Sequence, residues 1–81
     1  MKLPRDIRGE ELAKLLNKFD YVITRQTGSH LRLTRSKDEE HHITIPRHKN
    51  LKIGTLHSII RNVAENLGKS KEELLTELFT N

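Results

Sequence analysis

Tyr21-Val22-Ile23-Thr24-Arg25-Gln26-Thr27-Gly28-Ser29-His30-Leu31-Arg32-Leu33-Thr34-Arg35 is the stretch that decides the fold. Apolar residues alternate with polar ones on both sides of Gly28-Ser29, at Tyr21 and Ile23 and again at Leu31 and Leu33. Ile43 and Ile45 repeat the pattern just before Pro46. A period of two marks a strand with one dry face. The Gly-containing turn and the polar stretch Ser36–Glu40 have the composition of strand connections. Three antiparallel strands are predicted, at Tyr21–Gln26, at Leu31–Arg35 and around Ile43–Ile45. Pro46 ends the last, because it cannot donate to a ladder.

Outward from the strands the period becomes helical. Leu12, Leu15, Leu16 and Phe19 recur at i, i+3, i+4 and i+7 behind Glu10-Glu11, which predicts a first helix over residues 9–19. Leu56, Ile59, Ile60, Val63, Ala64 and Leu67 carry the same pattern up to Gly68, a C-terminal glycine stop. This second helix is the longest element and begins between Asn50 and Thr55. Ser70-Lys71-Glu72-Glu73 reads as a capping box ahead of Leu74, Leu75, Leu78 and Phe79, so a short third helix closes the chain. The predicted order is α-β-β-β-α with that extra C-terminal helix. It gives an α+β two-layer sandwich: a three-stranded antiparallel sheet with one face under the helices and the other wet.

Composition sets the bounds. At 81 residues with 33% apolar content, the chain supports one small core, and residues 1–81 are read as a single domain. With no cysteine, a disulfide framework and thiolate metal sites are excluded, and a reducing compartment fits. Residues Met1 to Asp6 lack the apolar core of a signal peptide, and no run approaches the ~20 apolar residues of a membrane span. A cytoplasmic chain without membrane contact is expected. Fifteen Lys and Arg against eleven Asp and Glu give a formal charge of +4 and a pI near 9.7, which favours a polyanionic partner. The acids cluster at Glu10-Glu11, Asp38–Glu40 and Glu72-Glu73, while Arg25, Arg32, Arg35, Arg47, His48 and Lys49 occupy the middle. The basic surface therefore belongs to the strands and the loop after them.

Alternation assigns the faces. If Leu31 and Leu33 meet the helices, His30, Arg32 and Thr34 turn away from them, and Ile43 and Ile45 put His42 and Thr44 outward. Setting Leu33 opposite Ile43 places Arg32 beside Thr44 and His30 near Pro46, at the mouth of Arg47-His48-Lys49. Gly28 is read as the turn-former, at a place where positive φ is often required. The N-terminus of the second helix follows the basic loop, so a phosphodiester suits this end of the sheet. His48 is either a second proton-transfer group, a phosphate contact or a hydrogen bond that shapes its loop. His41-His42 has no companion cysteines and no set of four ligands, so no metal is expected. His57 is assigned to a solvated helix face.

Four segments together resemble the HicA family, in its order and spacing: Lys2-Leu3-Pro4-Arg5, Arg25-Gln26-Thr27-Gly28-Ser29-His30, Pro46-Arg47-His48-Lys49, and Gly54-Thr55-Leu56 with Ile59. The resemblance implies a fold like a double-stranded-RNA-binding domain and the role of toxin in a type II toxin–antitoxin pair. It implies a metal-independent endoribonuclease that cuts mRNA and arrests translation, without a cofactor, and a HicB-like antitoxin that blocks it. By the same resemblance His30 stands at the family's catalytic histidine. The chain departs from the family at Arg8-Gly9, usually serine-glycine, and at Asp20-Tyr21, usually glycine-phenylalanine. These changes are expected to weaken the first helix cap and to alter the turn into the first strand.

RNA cleavage without a metal needs a base for the 2′-hydroxyl, donors for the phosphorane-like charge and an acid for the leaving 5′-oxygen. An imidazole, ordinarily titrating near ~6.5, serves both proton transfers. His30 is the candidate for them, with Ser29 orienting it and Arg25, Arg32, Arg47, His48 and Lys49 as candidate RNA and phosphate contacts. The rival reading is a non-catalytic RNA-binding module on the same basic face, which reads A-form shape through phosphate and 2′-hydroxyl contacts and leaves the RNA intact. An antitoxin is expected to cover the His30 face with acidic or hydrogen-bonding groups over Arg32 and the Arg47–Lys49 loop.

Overall fold

Three strands form one antiparallel sheet in the order β1-β2-β3: β1 Val22–Gln26, β2 His30–Arg35 and β3 His41–Pro46. The computed structural model describes residues 6–79, so the Lys2-Leu3-Pro4-Arg5 segment lies outside the described residues. α1 (Gly9–Leu16) precedes the sheet, and α2 (Ile53–Leu67) and α3 (Lys71–Phe79) follow it. The register is the one that alternation predicts: Leu33 pairs with Ile43, Arg32 with Thr44 and His30 with Pro46. A slip by one residue would turn every apolar side chain of β2 to solvent, so the buried set enforces this pairing.

Leu31, Leu33, Ile43 and Ile45 are buried against Leu12 and Leu16 of α1 and Leu56, Ile60 and Val63 of α2. Leu74, Leu75 and Leu78 extend that core under α3, which packs on α2. Truncating one of these leucines to alanine would cost about 2–5 kcal/mol. Among the described residues, the other face of the sheet carries no helix.

Strand β1 departs from expectation. Tyr21 is buried, but Ile23 is 46% exposed and Val22 52%, and no residue of β1 is buried. The strand lies at the sheet edge, and a bulge between Ile23 and Arg25 breaks its pairing with β2. Ile23 still pairs with Leu33 on the helix side, at an edge the helices do not cover. Thr34 departs the other way: it is buried on the open face, because Thr24 and His42 both bond its hydroxyl.

Local chemistry sets the ends. Gly68 closes α2 at φ 68°, the left-handed region that suits glycine. Ser70 and Glu73 form the predicted capping box, with Glu73 N–H donating to Ser70 Oγ at 3.0 Å and Ser70 N–H to Glu73 Oε1 at 3.1 Å. At α1 only half of such a box exists: Arg8 N–H donates to Glu11 Oε1 at 3.0 Å, and no Arg8 side-chain cap answers it. The predicted helix over residues 9–19 tightens after Leu16 into a 3₁₀ turn, Asn17–Phe19. Asp20 ends it at φ 70°, the backbone shape that glycine adopts most readily. Gly9 itself is required by packing, since a Cβ there would be driven into the Pro46 carbonyl. Its N–H donates to His48 O at 3.0 Å, which ties α1 to the loop after β3.

Tyr21 anchors a polar chain beside α2. Its hydroxyl lies 2.6 Å from His41 Nδ1 and accepts from Asn66 Nδ2 at 2.9 Å, and His41 Nε2 lies 3.2 Å from Asn62 Oδ1. Burial pushes the Tyr21 phenol above its ordinary value, against the lowering effects of the Asn66 hydrogen bond and the Arg35 charge. No helix of the described residues is long and apolar enough to cross a membrane.

Candidate active site

The turn between β1 and β2 is built by Thr27. Its Oγ accepts the N–H of Ser29 at 3.3 Å and of His30 at 3.0 Å, while its own N–H donates to His30 O at 2.9 Å. Gly28 lies in the turn, but its φ is not positive and a Cβ there would meet nothing within 4 Å. The reason expected for this glycine is therefore absent, because Thr27 bends the chain without left-handed backbone.

Arg47 braces the same turn from the loop after β3. Its N–H donates to Ser29 O at 2.9 Å and its Nη1 to Thr27 O at 2.8 Å. Its Nη2 pairs with Glu10 Oε2 of α1 at 3.4 Å. The guanidinium is thus held by the protein, in contrast to Arg25 and Arg32. His48 and Lys49 are exposed in the same loop, and neither lines the groove that holds His30.

His30 is exposed at the start of β2, on the open face. Its Nδ1 lies 2.9 Å from Ser29 Oγ, so one ring nitrogen is oriented by its neighbour, while Nε2 has no partner among the described residues. If the serine hydroxyl donates to Nδ1, Nε2 carries the hydrogen of a neutral ring and cannot accept a proton. If Nδ1 donates instead, Nε2 is a base, and the imidazolium formed when it gains a proton is the acid. The ring lines a groove of about 380 Å³ between β3 and α2, with Thr44, Pro46, Thr55, Ser58, Ile59 and Asn62.

A second hollow, of about 410 Å³, occupies the rest of the open face and includes Arg25, Arg32, Ser36 and Glu40. Arg25 and Arg32 pair directly across β1 and β2. Like charges in that position repel, and an anion laid between them relieves the repulsion. Neither guanidinium has an ion-pair partner among the described residues. At the far end His42 is committed on both sides: Nε2 lies 3.0 Å from Glu40 Oε1 and Nδ1 2.7 Å from Thr34 Oγ1. His41 is likewise committed, to Tyr21 and Asn62. His57 is half-buried and accepts from Lys71 Nζ at 2.8 Å, so its face is not the solvated one expected. Among the described residues no cluster of three or more His, Cys, Asp or Glu side chains is placed to hold a metal.

The structure therefore joins Ser29, His30 and Arg47 at one end of the sheet and sets Arg25 with Arg32 beside them. Sequence reading missed Thr27 and Glu10, which act through the turn and through Arg47. It also missed Thr55, Ser58 and Asn62, whose spacing of i, i+3 and i+7 places them on one face of α2. That spacing was a usable signal, set beside an apolar stripe that draws attention first.

A family profile described as the HicA toxin of bacterial toxin–antitoxin systems matches residues 9–64, well over half of the chain. No curated protein and no solved structure matches.

Proposed function

The chain belongs to the HicA toxin family, whose members act opposite an antitoxin, and on that premise we propose that it is an endoribonuclease that cuts mRNA without a metal. The observation that carries this reading is His30: its Nδ1 lies beside Ser29 Oγ, its Nε2 has no partner among the described residues, and the residue lines a groove. His30 Nε2 takes the proton of a ribose 2′-hydroxyl as that oxygen attacks the adjacent phosphorus. The P–O5′ bond breaks, and the imidazolium returns its proton to the leaving 5′-oxygen. The products are a 2′,3′-cyclic phosphate and a 5′-hydroxyl.

Arg25 and Arg32 hold phosphate on the open face, where charge-assisted N–H donors meet the developing negative charge. Lys49 and His48 extend the cationic track along the loop. Arg47 positions the turn that carries His30. One placed acid/base group contributes about 10²–10⁴ in rate, so turnover is slow. A HicB-like antitoxin neutralises the enzyme by laying carboxylates over Arg25 and Arg32 and closing the His30 end.

Incubating the purified chain with end-labelled RNA and a chelator tests the reading. Fragments ending in 2′,3′-cyclic phosphate are expected, and a single 2′-deoxy substitution at the cut abolishes that cut. RNA that is bound yet intact would overturn the proposal in favour of a non-catalytic RNA-binding module.

A further inference from the structure

The groove beside His30 differs in kind from the cationic hollow. Thr44, Thr55, Ser58 and Asn62 supply neutral hydrogen-bonding groups, Pro46 and Ile59 supply carbon, and no Lys, Arg, Asp or Glu takes part. Such a lining offers phosphate no countercharge. It matches a nucleobase, a flat apolar plate with hydrogen-bonding edges, of the kind read when unstacked from single-stranded RNA.

The polar chain behind the groove has a fixed direction. Asn66 Nδ2 can only donate, so the Tyr21 oxygen accepts from it and directs its own hydrogen to His41 Nδ1. A His41 Nδ1 that accepts leaves the ring proton on Nε2 in the neutral imidazole, and Nε2 donates to Asn62 Oδ1. The Asn62 carbonyl is thereby turned toward β3, and its Nδ2 hydrogens are left to the groove that Asn62 lines. A buried tyrosine bonded to Asn66 thus dictates a donor one helical turn away, at Asn62.

We propose that this groove binds one nucleobase next to the scissile linkage and that Asn62 Nδ2 selects a base presenting a carbonyl oxygen there. Uracil and guanine offer that acceptor, whereas adenine and cytosine present an amino group at the equivalent position. Tyr21 and His41 are positioning residues that set the amide. The proposal rests on the endoribonuclease reading and adds a specificity determinant to it.

Sequencing the ends that wild type, Asn62→Asp and Tyr21→Phe produce from a random-sequence RNA pool is the test. Wild type enriches uracil or guanine at one position flanking the cut by about two- to tenfold, the worth of one net hydrogen bond. Asn62→Asp, which replaces the donor with an acceptor, shifts that position alone toward adenine and cytosine. Tyr21→Phe frees the amide and flattens the preference. Cleavage without bias at any flanking position, or an unchanged bias in Asn62→Asp, overturns the inference while leaving the nuclease reading intact. RNA left whole by the wild type overturns both.

Discussion

His30 and His42 stand on the same open face, about 13 Å apart along the strands at ~3.3 Å per residue, and each has its Nδ1 beside a hydroxyl, Ser29 or Thr34. They differ at the other nitrogen. His42 Nε2 is paired with Glu40, whereas His30 Nε2 has no partner among the described residues and His30 lines a groove. The difference comes from where each histidine sits. His42 is flanked by the acidic loop between β2 and β3, so a carboxylate is always within reach. His30 follows a turn that Thr27 and Arg47 hold, and that turn contributes no acid. A proton-transfer group needs one nitrogen fixed and one free, and only the first end of the sheet supplies both.

Altering each end separately sharpens the contrast. Gly9→Ala, at the His30 end, forces a methyl against the Pro46 carbonyl; it is expected to destabilise the fold by about 1–3 kcal/mol. Because Pro46 pairs with His30, RNA cleavage falls as well, which a thermal melt and a rate measurement check together. Tyr21→Phe, at the other end, leaves His41 Nδ1 and Asn66 Nδ2 without a partner and is expected to cost about 1–2 kcal/mol. Its cleavage changes by no more than the roughly two- to tenfold lost at a preferred base.

The same substitution changes the alkaline limb of stability. The folded-state pKa of Tyr21 lies above its unfolded value of 10.0, so its contribution is whole below about pH 10 and is lost as pH rises through the folded value. Tyr21→Phe lacks that loss. Since Tyr21 is the chain's one tyrosine, phenolate absorbance reports its ionisation directly. Ser29→Ala releases the imidazole and lowers cleavage by up to about tenfold, with little change in melting temperature. Asp20→Gly relaxes the left-handed residue before β1 and is expected to add less than about 1 kcal/mol of stability. The exposed Asp20–Lys37 pair it removes contributes little.

Much of this arrangement was legible in the sequence. The Leu31, Leu33, Ile43 and Ile45 alternation set the β2–β3 register and so put His30 opposite Pro46. Ser70-Lys71-Glu72-Glu73 announced its own capping box. Both signals are local or rest on a pattern of period two. The exposure of Ile23 was not legible, because it depends on which strand the helices cover and on a bulge that alternation does not mark. Arg47 read as a free cation because its partners, Thr27 O and Glu10, lie 20 and 37 residues away. Asn62 was passed over for a similar reason: its role depends on His41 and Tyr21, brought to α2 only by the folded sheet.

The contrast between the two ends is tested most directly by rates of RNA cleavage for wild type, His30→Ala and His42→Ala under one chelated condition. The expected result is a loss of about 10²–10⁴-fold for His30→Ala and of less than about tenfold for His42→Ala, where only hydrogen bonds of the hollow are removed. Undiminished cleavage by His30→Ala, or an equal loss in both variants, would contradict the assignment of proton transfer to His30.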